Sequence, residues 1–140
     1  MQTKPALKES IPSDTTLHEE LLAVGEDDIV EMANLFTEET GVEGVIFVST
    51  EMASHGPRVK YSRKVGRHQP SFSVSISREP RILARSSDIA DHVLAEAAPR
   101  VIQWVKLNRD ALLNFWQNGT TWSRQQESTF FDSLKKLARD

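Results

Sequence analysis

A chain of 140 residues without a single cysteine has the length of one domain able to bury one hydrophobic core, and it excludes disulfides, zinc-thiolate sites and thiol nucleophiles. No run approaches the roughly 18 uninterrupted apolar residues of a membrane-spanning helix, and the start, MQTKPALKESIPSDTT, lacks the apolar stretch of a signal peptide, so a cytoplasmic setting is expected. The net charge of −3 conceals an asymmetry: residues 1–54 hold two lysines against twelve carboxylates, a net of −10, whereas residues 55–140 hold fifteen basic against eight acidic residues, a net of +7. Such a split fits either a basic face that meets an anion or two oppositely charged parts of the chain that sit against each other.

Residues 1–15 carry Pro5, Pro12 and no apolar repeat and are expected to form a flexible tail, with residues 16–140 as a single α+β domain. LHEELLAV, from Leu17 to Val24, has the spacing of a short helix that Gly25 ends. In EDDIVEMANLFTEET, Ile29, Met32, Ala33 and Phe36 follow the i, i+3, i+4, i+7 pattern of a buried helical stripe. Glu26, Asp27 and Asp28 stand at its start, where carboxylates complement the helix dipole, and Gly41 stands past its end, so a helix is expected here.

Val45 to Val48 is continuous, β-branched and aromatic, as in a strand buried on both faces. The turn Ser54-His55-Gly56-Pro57 leads into RVKYS, where Val59 and Tyr61 alternate with Arg58, Lys60, Ser62 and, further on, Lys64. SFSVSIS repeats the alternation, with Phe72, Val74 and Ile76 on one side and Ser71, Ser73, Ser75 and Ser77 on the other. Pro80 closes that strand, and RILA, residues 81–84, can supply a fourth. The expected sheet is a small antiparallel meander of three or four strands with one apolar face and one face of Arg, Lys and Ser.

From Ser86 the periodicity becomes helical. A helix capped by Ser86, Ser87 or Asp88 is expected to run through Ala97 with Ile89, Val93 and Leu94 inward, and a second to begin at Pro99 and carry Val101, Ile102, Val105, Leu112, Phe115 and Trp116. Asn118-Gly119 ends it. Thr120, Thr121 or Ser123 caps a last helix containing Phe130, Phe131, Leu134 and Leu137. The fold class is therefore α+β, with an N-terminal helix and two or three C-terminal helices on the apolar face of the sheet.

Three pieces, HGPRVK from His55 to Lys60, PRIL from Pro80 to Leu83, and the helix holding Trp104, Asn108, Leu112, Leu113 and Trp116, together resemble a family of small uncharacterised bacterial proteins. In that family a His-Gly-Pro-Arg-hydrophobic-Lys motif precedes the sheet, and a Trp-x-x-x-Asn helix ending in an aromatic-Trp pair and an Asn/Gly turn follows it. The likeness spans about residues 45–137 and implies no settled activity. This chain adds the basic run from Ser62 to Arg67, so a site sharing that loop differs here.

His55 is the candidate proton-transfer residue, because imidazole titrates near neutrality and turns face ligands; the bland reading is a loop histidine bonded to backbone. Arg58 and Lys60, two apart on a strand, point the same way and can hold a phosphate or carboxylate, or can pair with the acidic N-terminal half. Lys64 and Arg67 extend that basic row. Tyr61 or Phe72 adds base stacking if exposed. The serine row lacks a nucleophile elbow and a triad order, no glycine pattern cradles a nucleotide, and His18, His55, His68 and His92 lack metal-ligand spacing, so no metal or cofactor is expected. Asn108, at i+4 from Trp104, is expected to tie its helix to a loop backbone.

Three functions follow, in descending order. The first is a non-enzymatic module binding an anionic partner, nucleic acid foremost, through His55, Arg58, Lys60, Lys64 and Arg67. The second is a metal-independent ribonuclease or other phosphodiester-acting enzyme using His55, Arg58 and Lys60. The third is a protein-protein or self-association module.

Overall fold

The computed structural model describes residues 32–51, 56–66 and 68–138. The expected tail and the LHEELLAV helix lie outside them. The described chain is α+β: five strands, β1 (Met32–Leu35), β2 (Val45–Ser49), β3 (Arg58–Ser62), β4 (Ser71–Ser75) and β5 (Ile82–Arg85), form one antiparallel sheet in the order β1-β2-β3-β4-β5. A single helical turn, α1 (Thr37–Thr40), links the first two. Three helices follow, α2 (Asp91–Leu107), α3 (Arg109–Asn118) and, after a 3₁₀ turn at Gly119–Thr121, α4 (Arg124–Ser133).

The sheet has one strand more than the three or four expected, because Met32–Leu35 is extended rather than part of a helix. Its four residues fit both periods. Two steps of alternation place Ala33 opposite Val48 and Leu35 opposite Ile46, where Leu35 is buried in the core. The helical stripe would have buried Phe36, which instead is exposed. Pairing gives the backbone of β2 a second partner, and that tertiary gain overrides a weak local preference. The Glu39 carboxylate accepts the Phe36 N–H at 2.8 Å and starts α1. Gly41 ends it with φ +80 and an N–H donated to the Thr37 carbonyl, and a Cβ there would collide with the Leu137 backbone carbonyl.

Strands β3 and β4 follow the predicted alternation. Val59 pairs with Val74 and Tyr61 with Phe72, and their side chains meet Ile46 and Val48 in one apolar layer. Burying each of the Val, Ile and Phe side chains in this layer stabilises by about 1.5–3 kcal/mol. The three long helices close this layer with Val101, Trp104, Val105, Leu112, Phe115 and Phe130, and Phe115 stacks on Phe130 at a centroid distance of 4.5 Å.

The helices differ from expectation in four places. Helix α2 starts at Asp91 with Ala90 at its N-cap and no side-chain cap, so none of Ser86, Ser87 and Asp88 caps it. Pro99 lies inside one continuous 17-residue helix, α2, instead of starting a new one. Pro99 and Ala95, whose carbonyl loses its helical partner, are both exposed, so the proline sits on a helix face open to solvent, where the lost hydrogen bond costs least. The break falls at Asn108 (φ −116, ψ 16), which ends α2 and begins α3. Helix α4 stops at Ser133, so Leu134 and Leu137 pack on the core from an extended C-terminal strap. Its N-terminus is capped by Ser123, whose Oγ accepts the Gln126 N–H at 3.1 Å while Gln126 Oε1 accepts the Ser123 N–H at 2.7 Å.

Asn108 explains both the break and the strap. Its side chain is buried and donates from Nδ2 to the carbonyls of Trp104 and Lys135, each at 3.0 Å, while Oδ1 accepts the Lys135 N–H at 2.7 Å. The expected tie between helix and loop is thus the bond to residue 135. The strap is held again by Leu137 N–H donating to Thr40 O at 2.7 Å, and by Arg100 Nη2 donating to Gly41 O at 3.0 Å and Ala138 O at 2.9 Å.

Candidate anion-binding face of the sheet

Because strand side chains alternate, the residues left out of the apolar layer emerge together on the opposite side of the sheet. All three long helices contribute to the layer built on Val59, Tyr61, Phe72 and Val74. Across the middle of the other side runs one cross-strand row, Asn34, Phe47, Lys60, Ser73 and Ala84, fixed by successive register pairs. Beside it Arg58 pairs with Ser75 and Ser62 with Ser71. Arg58, Lys60, Ser62, Ser71, Ser73 and Ser75 are half-buried, whereas Val45 and Ser49 on the β2 end of the same side are buried. The accessible part of this face therefore centres on β3 and β4.

Arg58 and Lys60 are brought together as their i, i+2 spacing requires. The Arg58 Nε donates to the Gly56 carbonyl at 3.2 Å, which holds one edge of the guanidinium, while among the described residues no partner takes its terminal nitrogens. Among the described residues no carboxylate pairs with Arg58 or with Lys64. Lys60 Nζ sits 5.9 Å from the centroid of the Phe47 ring, a cation-π contact of about 0.5–1 kcal/mol at an accessible site. Lys64 lies past the end of β3, exposed, with its carbonyl accepting from Ser62 Oγ at 3.0 Å. His55 and Arg67 lie outside the described residues. The chain entering β3 is anchored, since the Pro57 carbonyl accepts the Ile76 N–H at 3.0 Å.

Among the strand residues described, the aromatic side chain on this face is Phe47. Tyr61 and Phe72, the stacking residues considered from the sequence, are buried at 2% and 1% exposure and pack on each other at 5.0 Å. Both share the parity of Val59 and Val74, which places them under the helices. The run Val45 to Val48 concealed Phe47, because a continuous apolar strand does not reveal which side is covered. Its odd positions, set against the buried Ile46 and Val48, are the signal that could have found it.

The serines divide by role. Ser75 Oγ is engaged, lying 2.9 Å from Ser77 Oγ and accepting the Arg81 N–H at 3.0 Å, so it shapes the turn into β5. Ser86 Oγ accepts the Ser71 N–H at 2.9 Å. Neither arrangement supplies a base to a serine, and among the described residues no group of three His, Asp or Glu side chains is placed to hold a metal. No described helix is long and apolar enough to cross a membrane.

On the other side of the molecule a cleft of about 680 Å³ is lined by Thr37, Gly41, Glu43, Tyr61, Arg63 and Arg100, among others. Arg63, although in the basic run, leaves the row and reaches Glu43 at 3.9 Å and Glu96 at 3.5 Å. Tyr61 Oη donates to the Glu43 carbonyl at 2.6 Å, and burial pushes its pKa up, with Arg63 opposing and Glu43 and Glu96 adding to the rise. The phenol stays neutral near pH 7. With Arg63 already flanked by two carboxylates and Arg100 holding the strap, this cleft is part of the scaffold.

No family model, curated protein or solved structure matches this chain.

Proposed function

We propose that the chain is a small binding module whose β3–β4 face takes a single-stranded nucleic acid. The observation that carries the reading is the Phe47–Lys60–Ser73 row with Arg58 next to it, on the side of the sheet opposite the three helices. A phosphate needs little beyond placed cations and hydroxyl donors, which Arg58, Lys60, Lys64 and Ser73 supply. A base needs a flat apolar partner, which Phe47 supplies with a cation above its ring. Unstacked bases reach such a surface; the edges of a duplex do not, because the face lacks a protruding helix or ribbon to enter a groove.

The test is fluorescence anisotropy of labelled single-stranded RNA and DNA oligonucleotides against the full chain, repeated across salt. Contact with three phosphates through Arg58, Lys60 and Lys64 gives a log–log salt slope of roughly −2. Phe47→Ala weakens binding by about 1–3 kcal/mol with the slope unchanged, whereas Arg58→Ala reduces the slope. Binding that is indifferent to salt and to both substitutions would overturn the reading.

A further inference from the structure

Strand β5 ends the sheet of the described residues, so its backbone is bonded to β4 on one side and meets no described strand on the other. The ladder shows which groups face outward. Ser86 N–H bonds Ser71 O at 2.9 Å and Ser75 N–H bonds Arg81 O at 2.9 Å. Phe72 lies opposite Arg85 and Val74 opposite Ile82, with a bulge in the ladder between Ser73 and Val74; both pairs fall between the bonded ones, so the N–H and C=O of Ile82 and Arg85 turn to the outer edge. All four residues of β5 are exposed, including Ile82 and Leu83 at 38% and 37%. An uncovered edge with two large apolar side chains is a template for another strand.

The two sides of this edge differ. Ile82, opposite Val74, belongs to the helix-covered side. Arg81, bonded to Ser75, lies on the side where Ser75 pairs with Arg58. Arg78 and Arg81 pair with no carboxylate among the described residues, while Arg85 reaches Asp91 at 3.0 Å. Glu79 is the sole acidic residue between Ser71 and Ser87. A second copy pairing through β5 about a two-fold axis would bring the arginines of both copies together, which like-charge repulsion disfavours. An acidic strand meets no such penalty.

We infer that the β5 edge accepts an extended acidic peptide as a sixth, antiparallel strand, with acidic residues beside Arg81 and alternating apolar residues beside Ile82. The outward groups of Ile82 and Arg85 supply the main-chain bonds, and the alternation supplies specificity. This site is separate from the Phe47–Lys60 row.

The probe is a fluorescein-labelled alternating Glu/Val heptapeptide, measured by anisotropy against the full chain, with a block-ordered Glu/Val peptide of the same composition as control. The alternating peptide binds at least tenfold more tightly than the block peptide. Of two versions N-methylated on either all Glu or all Val residues, one loses binding and the other retains it, because one set of amides faces β5. Arg81→Glu and Ile82→Lys, both on the exposed edge, each weaken the peptide about tenfold while leaving thermal unfolding within a few degrees of the parent. The inference fails if both N-methylated peptides bind like the parent, or if neither substitution changes peptide affinity. It fails equally if those substitutions abolish oligonucleotide binding and spare the peptide. Sedimentation showing a dimer that Ile82→Lys dissociates and the peptide does not would assign the edge to a second copy.

Discussion

Asn108→Ala removes one small buried side chain and tests how the C-terminal strap is held. Three hydrogen bonds are lost, at 3.0, 3.0 and 2.7 Å. The Trp104 carbonyl keeps a donor, because the Asn108 backbone N–H also reaches it at 3.1 Å. The Lys135 N–H and C=O lose their Asn108 partner, and both sit in a partly buried setting. At about 0.5–1.5 kcal/mol per neutral hydrogen bond, plus the cost of leaving strap groups unsatisfied, the loss is about 2–3 kcal/mol. Urea unfolding should show it as a midpoint lowered by about 1–2 M with an unchanged slope. Hydrogen exchange should report it locally, with the Leu137 amide, bonded to Thr40 O at 2.7 Å, losing protection ahead of the sheet. A loss below about 0.5 kcal/mol with Leu137 protection unchanged would refute the reasoning.

Gly41→Ala places a Cβ against the Leu137 carbonyl at a backbone φ of +80, so calorimetry should record a loss of about 2–4 kcal/mol, larger than for an exposed glycine outside a positive-φ position. Tyr61 is held protonated by burial: the folded pKa lies above the unfolded value of 10.0, so its contribution is fully present below pH 10 and is lost as pH rises through the folded pKa. Wild-type stability minus that of Tyr61→Phe should therefore fall above pH 10, and a constant difference would contradict the assignment. Ser123→Ala removes the cap on Gln126 and should lower the melting midpoint by the equivalent of about 1 kcal/mol. His55→Ala should leave oligonucleotide affinity within about threefold if the chain is a binding module, a change below roughly 0.7 kcal/mol; gel analysis of the RNA after incubation would expose any cleavage lost with the imidazole.

Strand alternation made β3 and β4 legible, because Val59, Tyr61, Phe72 and Val74 each sit between polar neighbours and a one-residue slip would bury Arg58 or Lys60. The basic pair was legible for the same reason. The β1 segment was not, since Met32 to Leu35 satisfies helical and strand periods alike and only the pairing with Ser49 to Ile46 decides between them. Pro99 reads as a boundary, but an exposed helical face tolerates it once the Ala95 carbonyl can reach water. The bend at Asn108 depends on Lys135, 27 residues away, a distance no local pattern spans. Phe47 was hidden within an apolar run, and the likeness in HGPRVK, PRIL and the Trp104 helix rests on those motifs alone.

The most direct measurement is an amide chemical-shift map of the full chain titrated with a single-stranded oligonucleotide. Perturbations should concentrate on Phe47, Arg58, Lys60, Lys64 and Ser73, with the buried helix residues Trp104, Val105 and Leu112 unmoved. Shifts confined to the Arg63–Arg100 cleft, or no saturable shifts at low salt, would contradict binding at the β3–β4 face.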